Sequence, residues 1–232
     1  MIAVKKIVPW PGRCSSARIM AAPQAQIPYL TGRTRPTWRQ SSCCGGSGRR
    51  KTKQGGATPT TLASRAKALS HALREIPKFN ASLSSDGKTL FPKDYVHIGI
   101  AFDTAHGLMV PVIRDVDRKG LWQIAAEIAD LATRAQNRKI RPDEMGGASM
   151  TISSLGGIGG TAFTPIVNPP EVAILGITRS EMVPVWGGEA FQPVQMVPLD
   201  LSYDHRVING ADAARFLRCF ADLLADPWRM LI

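Results

Sequence analysis

The alternation of apolar and polar positions changes character near residue 62. From there "LASRAKALSHALREI" sets Leu62, Ala66, Leu69, Leu73 and Ile76 at alternating spacings of four and three. That is the single stripe of an amphipathic helix, ending before Pro77. "LWQIAAEIADLATRAQ" (121–136) repeats the pattern with Leu121, Ile124, Ile128, Leu131 and Ala135, leaving Glu127 and Asp130 outside the stripe. Ala214, Leu217, Phe220 and Leu224 predict a third helix, stopped by Pro227. Between the helices the period shortens to two. "YVHIGIAF" (95–102) places Val96, Ile98 and Ile100 on one face, and "GLMVPVIRDV" (107–116) follows the turn-like "DTAHG". "ASMTIS" (148–153), "EVAILGIT" (171–178) and "QMVPLDLSYD" (195–204) complete the strand candidates. Strands and helices mix irregularly, which predicts an α/β sandwich rather than a strict βαβ repeat.

No such period runs through the first sixty residues. "TGRTRPTWRQSSCCGGSGRRKTKQGGATPT" (31–60) is dense in Gly, Ser, Thr and Arg and offers too little apolar surface to offset the cost of ordering the chain. Residues 1–61 are therefore expected to be irregular and basic, with the domain in 62–232. Charge sharpens the division. Residues 1–74 carry 14 Lys+Arg and no Asp or Glu, whereas 75–232 carry 15 Lys+Arg and 18 Asp+Glu, so the net charge of +11 resides in the front and the body is slightly acidic. A basic, irregular tail without interleaved aromatics is a poor stacking platform, and nucleic acid is not expected as a partner. No apolar run approaches the roughly 18 residues that span a bilayer, so no membrane contact is expected. Cys14, Cys43, Cys44 and Cys219 lack paired metal-ligand spacing; they read as reduced thiols of a soluble intracellular protein, and no metal is expected.

Candidate chemistry gathers in two places. In 148–153, Met150 and Ile152 share one strand face, while Ser149, Thr151 and Ser153 share the other, so Ser153 leaves a polar face as the chain turns into glycine. The following "GIGGTA" (157–162) formally matches a dinucleotide-binding turn, but Pro165, Pro169 and Pro170 exclude the helix that such a turn must open. No G-x-S-x-G elbow surrounds Ser153 or Ser154, which disfavours a serine hydrolase. The second place is "SYDHRVINGADAARF" (202–216), where Asp204 and Arg206 flank His205, and Asn209-Gly210 precede an alanine-rich apolar run. A histidine without its own nucleophile suits a reaction whose substrate brings one. A thiol fits, because its ordinary pKa lies about two units above that of imidazole. His71, His97 and His106 read as structural or solvated.

These segments resemble a known family. "TISSLGGIGGTAFTPIVNPPEVAILGI" with "LDLSYDHRVINGADAARF" is similar to the catalytic domain of the dihydrolipoamide acyltransferases, the core subunits of 2-oxoacid dehydrogenase complexes, and the similarity reaches back through "RPDEMGG", "DTAHGLMVPVIRDVDRKGL" and "REIPKFNASLSSDGK" to about Leu62. It looks most like the acetyl-transferring type of the pyruvate dehydrogenase complex; succinyl and branched-chain types stay open. The resemblance implies a chloramphenicol-acetyltransferase-like two-layer sandwich with a mixed sheet. It implies homotrimers that build a larger core with active sites between subunits, alongside lipoyl domains and the other subunits of the complex. It also implies acetyl transfer between coenzyme A (as acetyl-CoA) and dihydrolipoamide carried by a lipoyl domain not contained in this chain. His205 then matches the general base, Ser153 the oxyanion donor and Asn209 a third catalytic position, with Asp204, Arg206 and Gly210 supporting the turn. The setting implied is the bacterial cytoplasm, with the mitochondrial matrix as the alternative.

The departure lies at the front. "QIPYLT" (26–31) is similar to the family's "IPHVT" entry into a strand, but an arginine- and glycine-rich stretch follows where an acidic, helix-forming one is usual. A change of reading frame within this interval would account for it; a gene with no alternative frame restoring the pattern would remove that explanation. Part of the family's coenzyme A pocket comes from this portion, so the coenzyme-binding residues stay unassigned. An assembly-only remnant without an intact pocket is the alternative reading.

Overall fold

The computed structural model describes residues 8–9, 29–34, 60–105 and 107–230. Cys14, Cys43, Cys44 and His106 lie outside them, as does most of the segment expected to be irregular. In chain order the described elements are β1 (Val8–Pro9), β2 (Tyr29–Thr34), α1 (Thr61–Glu75), β3 (Ala81–Leu83), β4 (Thr89–Pro92), β5 (Ile98–Thr104), β6 (Gly107–Met109) and β7 (Val112–Ile113). Then come α2 (Leu121–Gln136), β8 (Met150–Ser154), β9 (Ala173–Ile177), β10 (Glu181–Trp186), β11 (Phe191–Met196), β12 (Leu199–Asp204) and α3 (Gly210–Ala225).

The large sheet runs β2-β12-β9-β8-β5-β6, with β7 also on β5. β8 is parallel to β5 and β9, and the other pairings are antiparallel, so the sheet is mixed as expected. α1 packs against α2 and α3, which reach the strands β5, β7, β12 and β2. The predicted stripes supply this layer: Ala66, Leu69 and Leu73 of α1, and Ile124, Ile128, Leu131 and Ala135 of α2, are buried. Phe79 and Phe216 stack at 4.1 Å in its centre. α1 starts where the Thr60 hydroxyl accepts a hydrogen bond from the Ala63 amide, which satisfies a donor that the first turn cannot.

Several expectations need correction. Tyr29–Thr34 falls inside the segment expected to be irregular, yet it pairs along β12 from Leu199↔Thr34 to Asp204↔Tyr29, in line with the strand entry that 26–31 resembles. It joins through polar groups, Thr31 to Ser202 at 2.9 Å and Arg33 to Asp200 at 2.6 Å, which a search for apolar periods does not register. The sheet therefore draws on both sides of residue 61. The stretch 195–204 is two strands broken at Val197-Pro198, and its first part belongs to a β10–β11 hairpin that the sequence pattern did not reveal. The stretch 107–116 likewise divides into β6 and β7, and the first strand of its pair begins at Ile98 rather than Tyr95. Ala214 is exposed, and Ala213 with Phe216 faces the core in its place. His71 is half-buried rather than solvated, and its imidazole is held below its ordinary pKa by burial. His97 is structural, as read: it is buried, and its Nδ1 accepts the Asp115 amide at 2.9 Å.

Candidate functional site

The turn after β12 is fixed from beneath by Asp204. This carboxylate is 2% exposed and receives three groups of Arg206: the amide at 2.9 Å, Nε at 3.0 Å and Nη2 at 2.7 Å. The Asp204 carbonyl accepts the amides of Val207 at 3.0 Å and Ile208 at 2.9 Å, and both apolar side chains are buried. A fork-on-fork guanidinium–carboxylate pair restricts direction as well as distance. Asp204 and Arg206 thus lock the turn, and His205 stands between them, half-buried, with its ring 5.8 Å from that of Tyr203. Asn209 caps α3, its Oδ1 accepting the Asp212 amide at 2.8 Å, while Gly210 begins the helix.

Ser153 sits near the end of β8. Met150 and Ile152 face the helices, and Thr151 faces the other way, where its hydroxyl donates to Glu171 at 2.9 Å, so the predicted alternation holds. After Ser154 the chain runs to β9 with no α-helix, in keeping with the rejection of a dinucleotide turn. This segment instead covers the polar sheet face. Phe163 presses on Gly176, where an added Cβ would come within 2.8 Å of the ring, and the Phe163 amide donates to Asp200 at 3.1 Å.

The register decides whether Ser153 and His205 meet. Ser153 pairs with Gly176, and Gly176 with Asp200, so Ser153 is level with the start of β12. His205 lies five residues further on, at the opposite end of the sheet. At about 3.3 Å per residue and about 4.8 Å per strand, the two stand roughly 19 Å apart within one chain. The fold presents both groups and does not bring them together.

A concavity of about 410 Å³ opens beside the Ser153 end of the sheet, lined by Thr61, Arg65, Ser154, Gly157, Thr178, Arg179, Ser180 and neighbouring residues, none of them acidic. Arg65 is 7% exposed; burial lowers its guanidinium to about 10, which leaves it cationic at neutral pH. Arg179 is exposed at the rim. Two guanidiniums, hydroxyls and the first turn of α1 make this an anion-attracting site. Sequence reasoning missed it because its residues come from separate segments with no shared motif.

Comparison with known proteins decides the lineage. Residues 13–232 match the family described as 2-oxoacid dehydrogenases acyltransferase (catalytic domain). The chain belongs to this family. Among curated acyltransferase relatives, the dihydrolipoyllysine-residue acetyltransferase component of the pyruvate dehydrogenase complex of Pseudomonas aeruginosa is 60% identical over 180 residues, covering 78% of this chain and 33% of that protein. The corresponding component of Azotobacter vinelandii is 59% identical over 180 residues, covering 78% and 28%. The chain thus spans about a third of the length of these relatives. Among solved acyltransferase structures, the cubic core of the pyruvate dehydrogenase multienzyme complex superimposes with a TM-score of 0.82 at 50% identity, covering 89% of this chain and 85% of that one. A structure of A. vinelandii dihydrolipoamide acetyltransferase, determined to investigate a serine, a histidine and an asparagine in its catalytic mechanism, gives 0.82 at 49% over the same shares. Chloramphenicol acetyltransferase, at 0.55 and 19%, shares the fold.

Proposed function

We propose that this acyltransferase domain moves an acetyl group between dihydrolipoamide and coenzyme A, at sites formed where two copies of the chain meet. The observation that carries this reading is the placement of Ser153, His205 and Asn209. They stand 52 and 4 positions apart, as do the serine, histidine and asparagine investigated in the A. vinelandii acetyltransferase. Since one chain holds Ser153 and His205 at opposite ends of its sheet, His205 of one copy serves Ser153 of another. A homotrimer closes three such boundaries by rotation.

The His205 imidazole takes the thiol proton, and the thiolate sulfur attacks the thioester carbonyl carbon. The carbonyl oxygen becomes an oxyanion, to which the Ser153 hydroxyl donates. Collapse breaks the original carbon–sulfur bond, and the departing thiolate takes the proton back from the imidazolium. The basic concavity beside Ser153 takes the phosphates of coenzyme A. Its presence beside Ser153 favours an active enzyme over the assembly-only reading. The setting is cytoplasmic, with lipoyl domains and the other subunits of the complex as partners.

Transfer from acetyl-CoA to dihydrolipoamide by the purified protein tests this. His205→Ala abolishes it, and Ser153→Ala lowers turnover about a hundredfold or more. Co-refolding the two variants raises the activity above that of either alone, because mixed boundaries pair an intact histidine with an intact serine. No recovery on mixing overturns the shared site, and no transfer by the wild type overturns the activity.

A further inference from the structure

Glu171 is a carboxyl buried where the proposed reaction does not use it. It is 4% exposed, on the sheet face that carries Ser153 and away from the helices. Its Oε1 accepts the Thr151 hydroxyl at 2.9 Å and the Asn168 amide group at 3.4 Å. Its Oε2 is buried with no hydrogen-bond partner among the described residues. The nearby Lys93 is half-buried and donates to the Ala148 carbonyl at 2.7 Å. Burying a carboxyl with one oxygen unsatisfied is costly, and an apolar side chain would fill the space without that cost.

Two connections give the group a purpose. Thr151 lies two residues before Ser153 on the same face of β8, about 7 Å away along the strand. Its hydroxyl sits over Gly99, where an added Cβ would come within 2.6 Å of it. The residue after Glu171 reaches the other half of the chemistry, since the Val172 carbonyl accepts the Asp204 amide at 2.8 Å, immediately before His205. One short segment therefore ties the strand presenting Ser153 to the turn presenting His205.

We infer that Glu171 is a positioning residue for acetyl transfer, holding through Thr151 the strand of Ser153 and through Val172 the turn of His205. Because those groups serve different sites of the assembly, Glu171 sets the geometry of two sites at once. The inference rests on the acetyltransferase reading for its catalytic half only; the tie itself has a readout of its own.

The test uses the full chain and three variants. Glu171→Leu and Thr151→Val should each lower kcat at least tenfold with the KM for acetyl-CoA and for dihydrolipoamide within about twofold of wild type. Glu171→Gln keeps an oxygen for Thr151 and should recover kcat to within about threefold of wild type. Hydrogen exchange should speed up in Glu171→Leu at the Asp204 amide and across β8, and stay unchanged in α2. Unchanged exchange at β8 and Asp204 overturns the tie. Loss of kcat in Glu171→Gln as deep as in Glu171→Leu overturns it too, as does a wild-type rate in Thr151→Val. A wild-type protein that transfers nothing overturns the acetyltransferase reading alone, and the exchange pattern then decides the tie.

Discussion

On the helix side of the large sheet, Met150, Ile152, Leu175, Ile177, Leu201 and Tyr203 are almost wholly buried among apolar neighbours. On the other side the same strands bury Thr151, Asp200, Ser202 and Asp204 just as deeply. The first face is held by area and volume, which are non-directional and tolerant of exchange. The second is held by named partners: Glu171 for Thr151, Arg33 and the Phe163 amide for Asp200, Thr31 for Ser202, and Arg206 for Asp204. Directional contacts fix position to within a fraction of an ångström, and both Ser153 and His205 depend on this second face. Damage on the helix side should therefore scale with the volume removed. Damage on the polar side should depend on which partner is left behind.

The largest effect is expected on the apolar side. Phe216 is fully buried and stacked on Phe79, so Phe216→Ala should cost about 3–5 kcal/mol in chemical denaturation. Transfer per folded molecule should stay near wild type. A collapse of the specific rate instead would show that the two faces are not separable.

Next comes the pH response of the buried carboxyl. Burial raises Glu171 from its ordinary 4.5 to about 7, against the Thr151 hydrogen bond and the charge of Lys93. The folded chain then holds this proton more tightly than the unfolded chain. Stability from the group is full below about pH 4.5 and falls as pH rises through about 7, by about 3 kcal/mol at most. Lys93, lowered by burial from 10.5 to about 8, acts in a separate alkaline window and adds stability as pH rises from about 8 toward 10.5. Wild type measured against Glu171→Gln from pH 5 to 7.5 should lose stability progressively; parallel curves would refute the raised pKa.

A smaller effect is expected at the edge. The Arg33 side chain is 51% exposed and Asp200 is fully buried. Arg33→Ala should cost roughly 1–3 kcal/mol, mostly as the penalty of a buried carboxylate left with the Phe163 amide. Adding Asp200→Asn should return part of that loss. Additive losses in the double variant would mean that the pair is not coupled.

This contrast also explains what the sequence revealed. The helices were legible because a 3.6-residue period records burial on one face, and Leu69, Ile128 and Phe220 lie where it puts them. The polar side leaves a thinner record: alternation set Thr151 and Ser153 on one face of β8 but named none of the partners that hold it. β2 is recruited through Thr31 and Arg33, and the basic concavity joins Arg65 to Thr178 and Arg179, which stand more than a hundred positions away. The β10–β11 hairpin escaped because its exposed residues include Met182, Trp186 and Phe191, and Pro184 opposite Pro193 interrupts the usual strand composition. His205, Ser153 and Asn209 were legible as types in a motif. Their separation was not, because it resides in the strand register.

The smallest expected stability effect is at Asn209, where the two kinds of holding meet in one side chain. Its Oδ1 caps α3 by accepting the Asp212 amide, so Asn209→Ala should cost about 1 kcal/mol. Asn209→Asp should keep the cap, since Asp and Asn cap equally well and a negative charge is favoured at a helix N-terminus. Asn209→Gly separates capping from chemistry. Glycine at this position costs only a few tenths of a kcal/mol, so the turn and the helix survive while the amide is gone. Under the proposed mechanism this variant melts within a few degrees of wild type yet loses at least tenfold in kcat, which places the amide among the groups that aim or serve His205. If kcat is instead retained, Asn209 is a helix cap only, and the catalytic work of the turn falls to His205 held by Asp204 and Arg206.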